Sequence, residues 1–182
     1  LVADALKAGA DAAEAVSARR AALSVGVRNG RLEDVEREES TDLGLRVFVG
    51  HRQASVSASD LSEATRRRLV ERVVAMARLA PEDPHAALAA PDMLATGPHL
   101  DLDLYDPAER SPSALEDDAR AAESAALSIE GVARSEGGHA STSSTEWRLV
   151  TSHGFDGAYR GTAFSLGVGV IAERDGAMER GG

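Results

Sequence analysis

AALSVGVRNGRLEDVEREESTDLGLRVFVGHRQASVSASDLSEATRRRLVERVVAMARLA, residues 21–80, is the stretch on which the fold turns. Leu23, Val25 and Val27 alternate with polar or small residues, and Leu43, Leu45, Val47 and Val49 repeat the pattern. That is the period of a strand with one buried face. Asn29-Gly30 lies between them and is a strong hairpin signal, because both turn positions need positive φ and these residues tolerate it. Gly50-His51 supplies a second turn. Two hairpins follow, with four strands over 22–28, 31–38, 42–49 and 52–58. Ser59-Asp60 offers an N-cap, and Glu63 completes a capping-box pattern with Asp60. Beyond it Leu69, Val73, Met76 and Ala80 recur at helical spacing, widened by Val70, Val74 and Ala77. A helix over 62–80 can therefore cover one face of the meander.

Working outward, residues 1–20 read as a helix, with Leu1, Leu6, Ala10, Ala13 and Val16 near one face and Gly9 as a weak point. All six prolines fall within 81–112, which marks a connector with a short helical piece near His85 to Ala90. Leu115, Ala119, Ala122, Ala126 and Ile129 predict a helix over 113–130, stopped by Gly131. Strands are expected over 132–142, 146–152 and 163–172, with turns at Gly137-Gly138, Gly154 and Gly157. In the last strand Phe164, Leu166, Val168 and Val170 alternate with Ser165, Gly167 and Gly169, so one face carries only small residues. Both halves run helix then hairpins, yet without matching residues at fixed spacing. The fold class is α+β: an antiparallel sheet of hairpins packed against long helices (1–20, 62–80 and 113–130), in place of a doubly wound parallel sheet.

The chain has 182 residues, of which 43% are hydrophobic, enough for a core. It is read as one α+β domain over 1–182, with 81–112 as its connector. Leu1 at the start, and Glu-Arg-Gly-Gly directly after an apolar strand pattern, suggest a piece of a longer protein truncated before a carboxy-terminal domain. A net charge of -10 repels polyanions and argues against direct nucleic-acid binding. All basic residues but Lys7 are arginine. Cysteine is absent, which excludes disulfides, thiol catalysis and Cys-ligated zinc. No apolar run approaches the ~20 residues that cross a bilayer, so no membrane association is expected and the location is read as cytoplasmic. Aromatic residues make up 3%, too few for an aromatic-lined binding platform.

The chemical motifs are weak. Asp101, Asp103 and Asp106 resemble a cation loop, but an EF-hand would place Gly and Glu where Asp106 and Pro112 stand. Leu102 and Leu104 are instead expected to pack inward, with Asp106-Pro107 starting a turn. His51, His85, His99, His139 and His153 are scattered, with no helical His pair. Ser152, His153 and Asp156 bring triad residue types together, yet neighbours on a strand point to opposite faces and cannot form a relay. Gly167-Val168-Gly169 lacks the following helix of a dinucleotide fingerprint. Arg66, Arg67 and Arg68 read as a solvated helix flank. Glu33 to Glu39 reads as the wet face of an edge strand, whose charge discourages edge-to-edge association. No residue is assigned a catalytic or metal-binding role.

The ordered runs GADAAEAV at 9–16, NGRLEDVE at 29–36, LGLRVFVGHRQASVSASD at 43–60, LDLYDP at 102–107 and LVTSHGFDGAYRGTAFSL at 149–166 resemble the amino-terminal half of the TldD/PmbA family. The likeness is closer to the PmbA branch, also called TldE. Family members are described as modulators of DNA gyrase and as subunits of a cytoplasmic metallopeptidase acting on unfolded peptides. The family's zinc site lies in TldD on an H-E-x-x-x-H helix, which has no counterpart here. The resemblance therefore implies a noncatalytic subunit with no cofactor of its own, zinc being expected only in a TldD-like partner. The implied partners are that subunit or a second copy, and an unfolded peptide. The rival reading is a stand-alone protein-interaction module. If peptide is held by main-chain pairing, the strand Ala163 to Ala172 is the expected contact: Gly167 and Gly169 leave room for a second backbone, and Gly161 lies near its start. Alternatively, these glycines accommodate a packed helix.

Overall fold

The computed structural model describes residues 1–97 and 100–182, so Pro98 and His99 lie outside the described residues. The elements run α1 (Val2–Lys7), β1 (Ala12–Arg28), β2 (Arg31–Val49), β3 (Arg52–Ala58), α2 (Glu63–Leu79), α3 (Pro112–Leu127), β4 (Val132–Thr151), β5 (Asp156–Arg174) and β6 (Ala177–Gly181). One six-stranded sheet has the order β3-β2-β1-β4-β5-β6. The class is α+β as expected, and the sheet is mostly antiparallel, but the long elements are strands. β1, β2, β4 and β5 hold 17 to 20 residues each, while α1 has six.

The first of two compact units comprises Leu1–Arg19, Ser40–Leu102 and Thr145–Arg160. Its core joins Leu45 and Val47 of β2 to Val70, Val73, Val74 and Ala77 of α2, with Ala5, Ala10 and Ala13. β3 pairs antiparallel with β2 from Leu43↔Ala58 to Val49↔Arg52, around the Gly50-His51 turn. The expected 1–20 helix is corrected here. It stops at Lys7 because Gly9 adopts φ +98°, and a Cβ there would meet the Arg78 guanidinium at 2.5 Å. Arg78 also donates to the Ala8 carbonyl, and from Ala12 the chain is strand. The α2 cap is Ser62, whose hydroxyl accepts from the Thr65 amide. Asp60, expected as the cap, instead accepts from the Ser62 amide and hydroxyl and from the Thr65 hydroxyl. Met76 is exposed; the buried stripe is Leu69, Val70, Val73, Val74 and Ala77.

The second unit comprises Arg20–Glu39, Asp103–Ser144 and Gly161–Gly182. Its core holds Val25 and Val27 of β1, Leu115 and Ala119 of α3, and Ala140 of β4. The β1–β2 turn has Asn29 at φ 52° and Gly30 at φ 70°, as its hairpin chemistry demands. α3 begins at Pro112 behind the Ser111 cap and ends at Leu127, short of the expected 130. At Gly138 a Cβ would lie 2.2 Å from the Ala119 carbonyl oxygen, so helix and strand approach closely there.

Other expectations change as well. The separate strands over 31–38 and 42–49 are one strand, β2, because residues 39–41 (Glu-Ser-Thr) include no Gly, Pro or Asn, the stronger turn formers. Likewise 132–142 and 146–152 form the single β4, in which Gly137 takes φ +122° without turning the chain, and Gly157 lies inside β5. Asp175-Gly176, at φ 51° and 78°, turns β5 into an unanticipated β6. The described part of the connector is irregular, with a 3₁₀ turn at Pro91–Met93 in place of the helical piece near His85 to Ala90.

Candidate functional site

β5 carries the three glycines singled out from the sequence. β6 pairs with it only from Val170↔Gly181 to Arg174↔Ala177. Farther toward its start, Thr162 donates its amide to the Leu104 carbonyl at 2.9 Å, and its hydroxyl accepts from the Asp106 amide at 2.9 Å. The connector thus lays an extended main chain against β5 beside Gly161, where a Cβ would stand 3.6 Å from the Leu104 oxygen. Between these attachments lies Ala163–Gly167. Phe164 and Leu166, the large residues of the alternation, are 47% and 59% exposed.

The glycines differ in what surrounds them. A Cβ at Gly167 would meet nothing within 4 Å, whereas one at Gly169 would meet the Glu136 Cβ at 3.2 Å. Glu136 reaches from β4 and pairs with Arg180 of β6. Neither glycine abuts a helix; Gly138 does, against the backbone of Ala119 of α3.

Groups capable of chemistry are dispersed. Ser152 Oγ accepts from the Ala13 amide at 3.0 Å, His153 Nδ1 lies 2.8 Å from the Ala89 carbonyl oxygen, and Asp156 binds Arg148 through both carboxylate oxygens. Each member of the apparent triad is therefore engaged elsewhere. The Arg148 hydrogen bond, with the Arg148 charge and against an opposing effect of desolvation, holds the Asp156 carboxyl below the usual range. His51 sits in the β2–β3 turn, His85 is exposed in the connector and His139 is on β4. His99 lies outside the described residues. Among the described residues no three or more His, Asp or Glu side chains gather as a metal site. A catalytic zinc needs about three protein ligands and an open position, so this donor set does not fit one. The Asp101, Asp103 and Asp106 segment also departs from expectation. Leu102 and Leu104 are 65% and 48% exposed, while Asp106 accepts from the Ala108 amide in the anticipated turn.

The polar residue that sequence reasoning missed is Glu123 of α3, 1% exposed. Its carboxylate accepts from the amides of Asn29 at 2.9 Å and Gly30 at 2.7 Å, and from the Ser135 hydroxyl. Burial pushes its carboxyl upward, but the bonds from Ser135, Gly30 and Asn29, with the Arg28 charge, outweigh burial and hold it below the usual range. The available signal was a Glu four residues after Ala119 on the core-facing stripe.

Comparison with known proteins places this geometry in a family. Two family models match in order: the one described as PmbA/TldA metallopeptidase domain 1 over residues 13–77, and the PmbA/TldA metallopeptidase central domain over 105–182. The chain is 36% identical over 171 residues to Metalloprotease PmbA of Escherichia coli O157:H7, covering 93% of this chain and 38% of that protein. It is 33% identical to the Haemophilus influenzae homolog, covering 96% and 39%. It therefore spans about two fifths of the length of these curated relatives. Among solved structures, a candidate modulator of DNA gyrase from Bacteroides thetaiotaomicron superposes with a TM-score of 0.90 at 23% identity, over 98% of this chain and 41% of that one. TldE from Thermococcus kodakarensis superposes with a TM-score of 0.77 at 18% identity, over 97% and 39%.

Proposed function

The chain belongs to the PmbA/TldD metallopeptidase family, and on that premise we propose that it is the amino-terminal part of a noncatalytic PmbA/TldE-like subunit. In this reading it assembles in the cytoplasm with a TldD-like zinc subunit, and together they process unfolded peptides. The observation that carries the reading is the ordered match of both family models, joined to 36% identity with a protein named Metalloprotease PmbA. In this reading the zinc belongs to the partner and this chain helps shape the site, a division that the dispersed donor set among the described residues supports.

β5 is the element proposed to meet peptide or partner. Enzymes that accept varied unfolded chains can hold them by main-chain hydrogen bonds, which demand little of sequence. The pairing of the Leu104 segment with Thr162 supports this, since that edge already takes an extended backbone. Gly167 has open space around its Cα and fits a close backbone approach, whereas Gly169 is tied to Glu136 and Gly161 to the connector.

The decisive measurement is co-purification of the tagged chain from its own host, followed by zinc analysis and peptide cleavage. A TldD-like zinc protein should accompany it, with chelator-sensitive cleavage present in the pair and absent from the chain alone. Stoichiometric zinc and cleavage in the isolated chain would overturn the assignment. Gly167→Val should leave the chain folded and reduce cleavage by the pair; unchanged cleavage with intact assembly would remove β5 from the site.

A further inference from the structure

We propose that the outer edge of β2, from Arg31 to Asp42, binds an extended Lys- and Arg-rich peptide by strand addition. The proposal goes beyond the subunit reading and requires neither zinc nor a second subunit.

The main-chain geometry comes first. β3 covers β2 only from Leu43 to Val49, and β1 lies on the other side. Among the described residues, no strand pairs with the outer edge of Arg31–Asp42. Arg28 and Arg31 flank a two-residue turn and form its closing pair. Antiparallel geometry then aims the N–H and C=O groups of Leu32, Asp34 and Glu36 away from β1. Arg31 to Glu39 are exposed without interruption, including Leu32 and Val35.

The charge selects the occupant. Six acidic residues and two arginines lie between Arg31 and Asp42. Glu33 pairs with Arg28, and Glu39 with Arg37. Asp34, Glu36 and Glu38 are not in an ion pair among the described residues. A second copy of this edge is a poorer partner than a cationic strand: each copy carries six acidic residues against two arginines, and antiparallel pairing about Glu36 would set Glu33 against Glu39 and Asp34 against Glu38, like charges directly opposed. A strand with cations at alternate positions meets these carboxylates and supplies the missing main-chain partners.

The test titrates the full chain into a fluorescent peptide of about twelve residues, enough to span the edge, alternating Lys and Thr, and follows anisotropy. Binding should weaken at high salt and be absent for the Glu-Thr counterpart. Asp34→Lys with Glu36→Lys, both exposed and shown folded by circular dichroism, should weaken binding by about tenfold. N-methylating alternate backbone nitrogens of the Lys-Thr peptide keeps its charge but removes strand pairing, so binding to the unaltered protein should be lost. Equal binding of the N-methylated peptide would show charge adhesion alone and overturn the proposal. So would unchanged binding by the double variant, or no binding of the Lys-Thr peptide.

Discussion

Glu123 sits almost wholly out of solvent, and its carboxylate is the acceptor for two turn amides and one hydroxyl. Replacing it by Gln keeps the size but sets an amide N–H₂ among donors. Glu123→Gln should cost roughly 1.5–3 kcal/mol in urea unfolding near neutral pH, the range for hydrogen bonds to a buried charged group. The pH dependence follows from the lowered carboxyl. A folded-state value below the unfolded one gives stability that is complete above the ordinary Glu range near 4.5 and is lost as pH falls through the depressed value. The gap between native protein and variant should therefore shrink on acidification below about 4.5, and a constant gap would deny the ionised role. Gly138 gives a second test: Gly138→Ala places a methyl group against the Ala119 carbonyl and should destabilise by roughly 1–3 kcal/mol. Neither residue was conspicuous in the sequence. The helical pattern favoured Ala122 over its neighbour Glu123, and Gly138 read as part of a turn because two adjacent glycines usually make one.

At the level of elements, alternation marked the part of β2 whose one face is buried. Leu45 and Val47 show it and lie in the core, whereas Arg31 to Glu39 are exposed on both faces and break the pattern, so β2 read as two strands. Ala12 to Arg20 failed for another reason. Alanine-rich sequence favours helix by weak propensity, and the buried place of Ala13 in the sheet outweighs it. Turns with strong local chemistry were found at Asn29-Gly30 and Gly50-His51, although the equal signal at Asp175-Gly176 was passed over. Helix α2 was placed almost to the residue, with its cap misassigned by two positions. Asp60, held below the usual carboxylate range chiefly by the Thr65 hydroxyl and then by the Ser62 amide and hydroxyl, steadies the true cap. Ser62→Ala should therefore lower stability by about 1 kcal/mol in thermal or chemical unfolding, whereas Ser59→Ala should change nothing measurable.

Across the whole molecule, the family was legible from ordered motifs because their spacing tracks shared hairpins and turns. The surroundings of the β5 glycines were not, since which neighbour approaches a glycine depends on distant parts of the chain. The same dependence shapes how the polypeptide is made. Each compact unit draws on three separated segments, and the first, which begins at Leu1, also contains Thr145–Arg160. A ribosome working at about 5–20 residues per second therefore finishes residues 1–102 several seconds before the last piece of that unit emerges. During the interval the side of β1 that meets β4 waits for its partner, and Ala13 lacks the two bonds that its amide and carbonyl make with Ser152, a long-range closure that is intrinsically slow. Nascent chains arrested with only residues 1–140 outside the exit tunnel should remain protease-sensitive over 12–19, and chains extended past 160 should become resistant. Resistance already present at the shorter length would mean that the first unit completes itself without its third segment. Otherwise the growing chain passes through an obligatory window of exposure, when a holding chaperone has its best opportunity to bind.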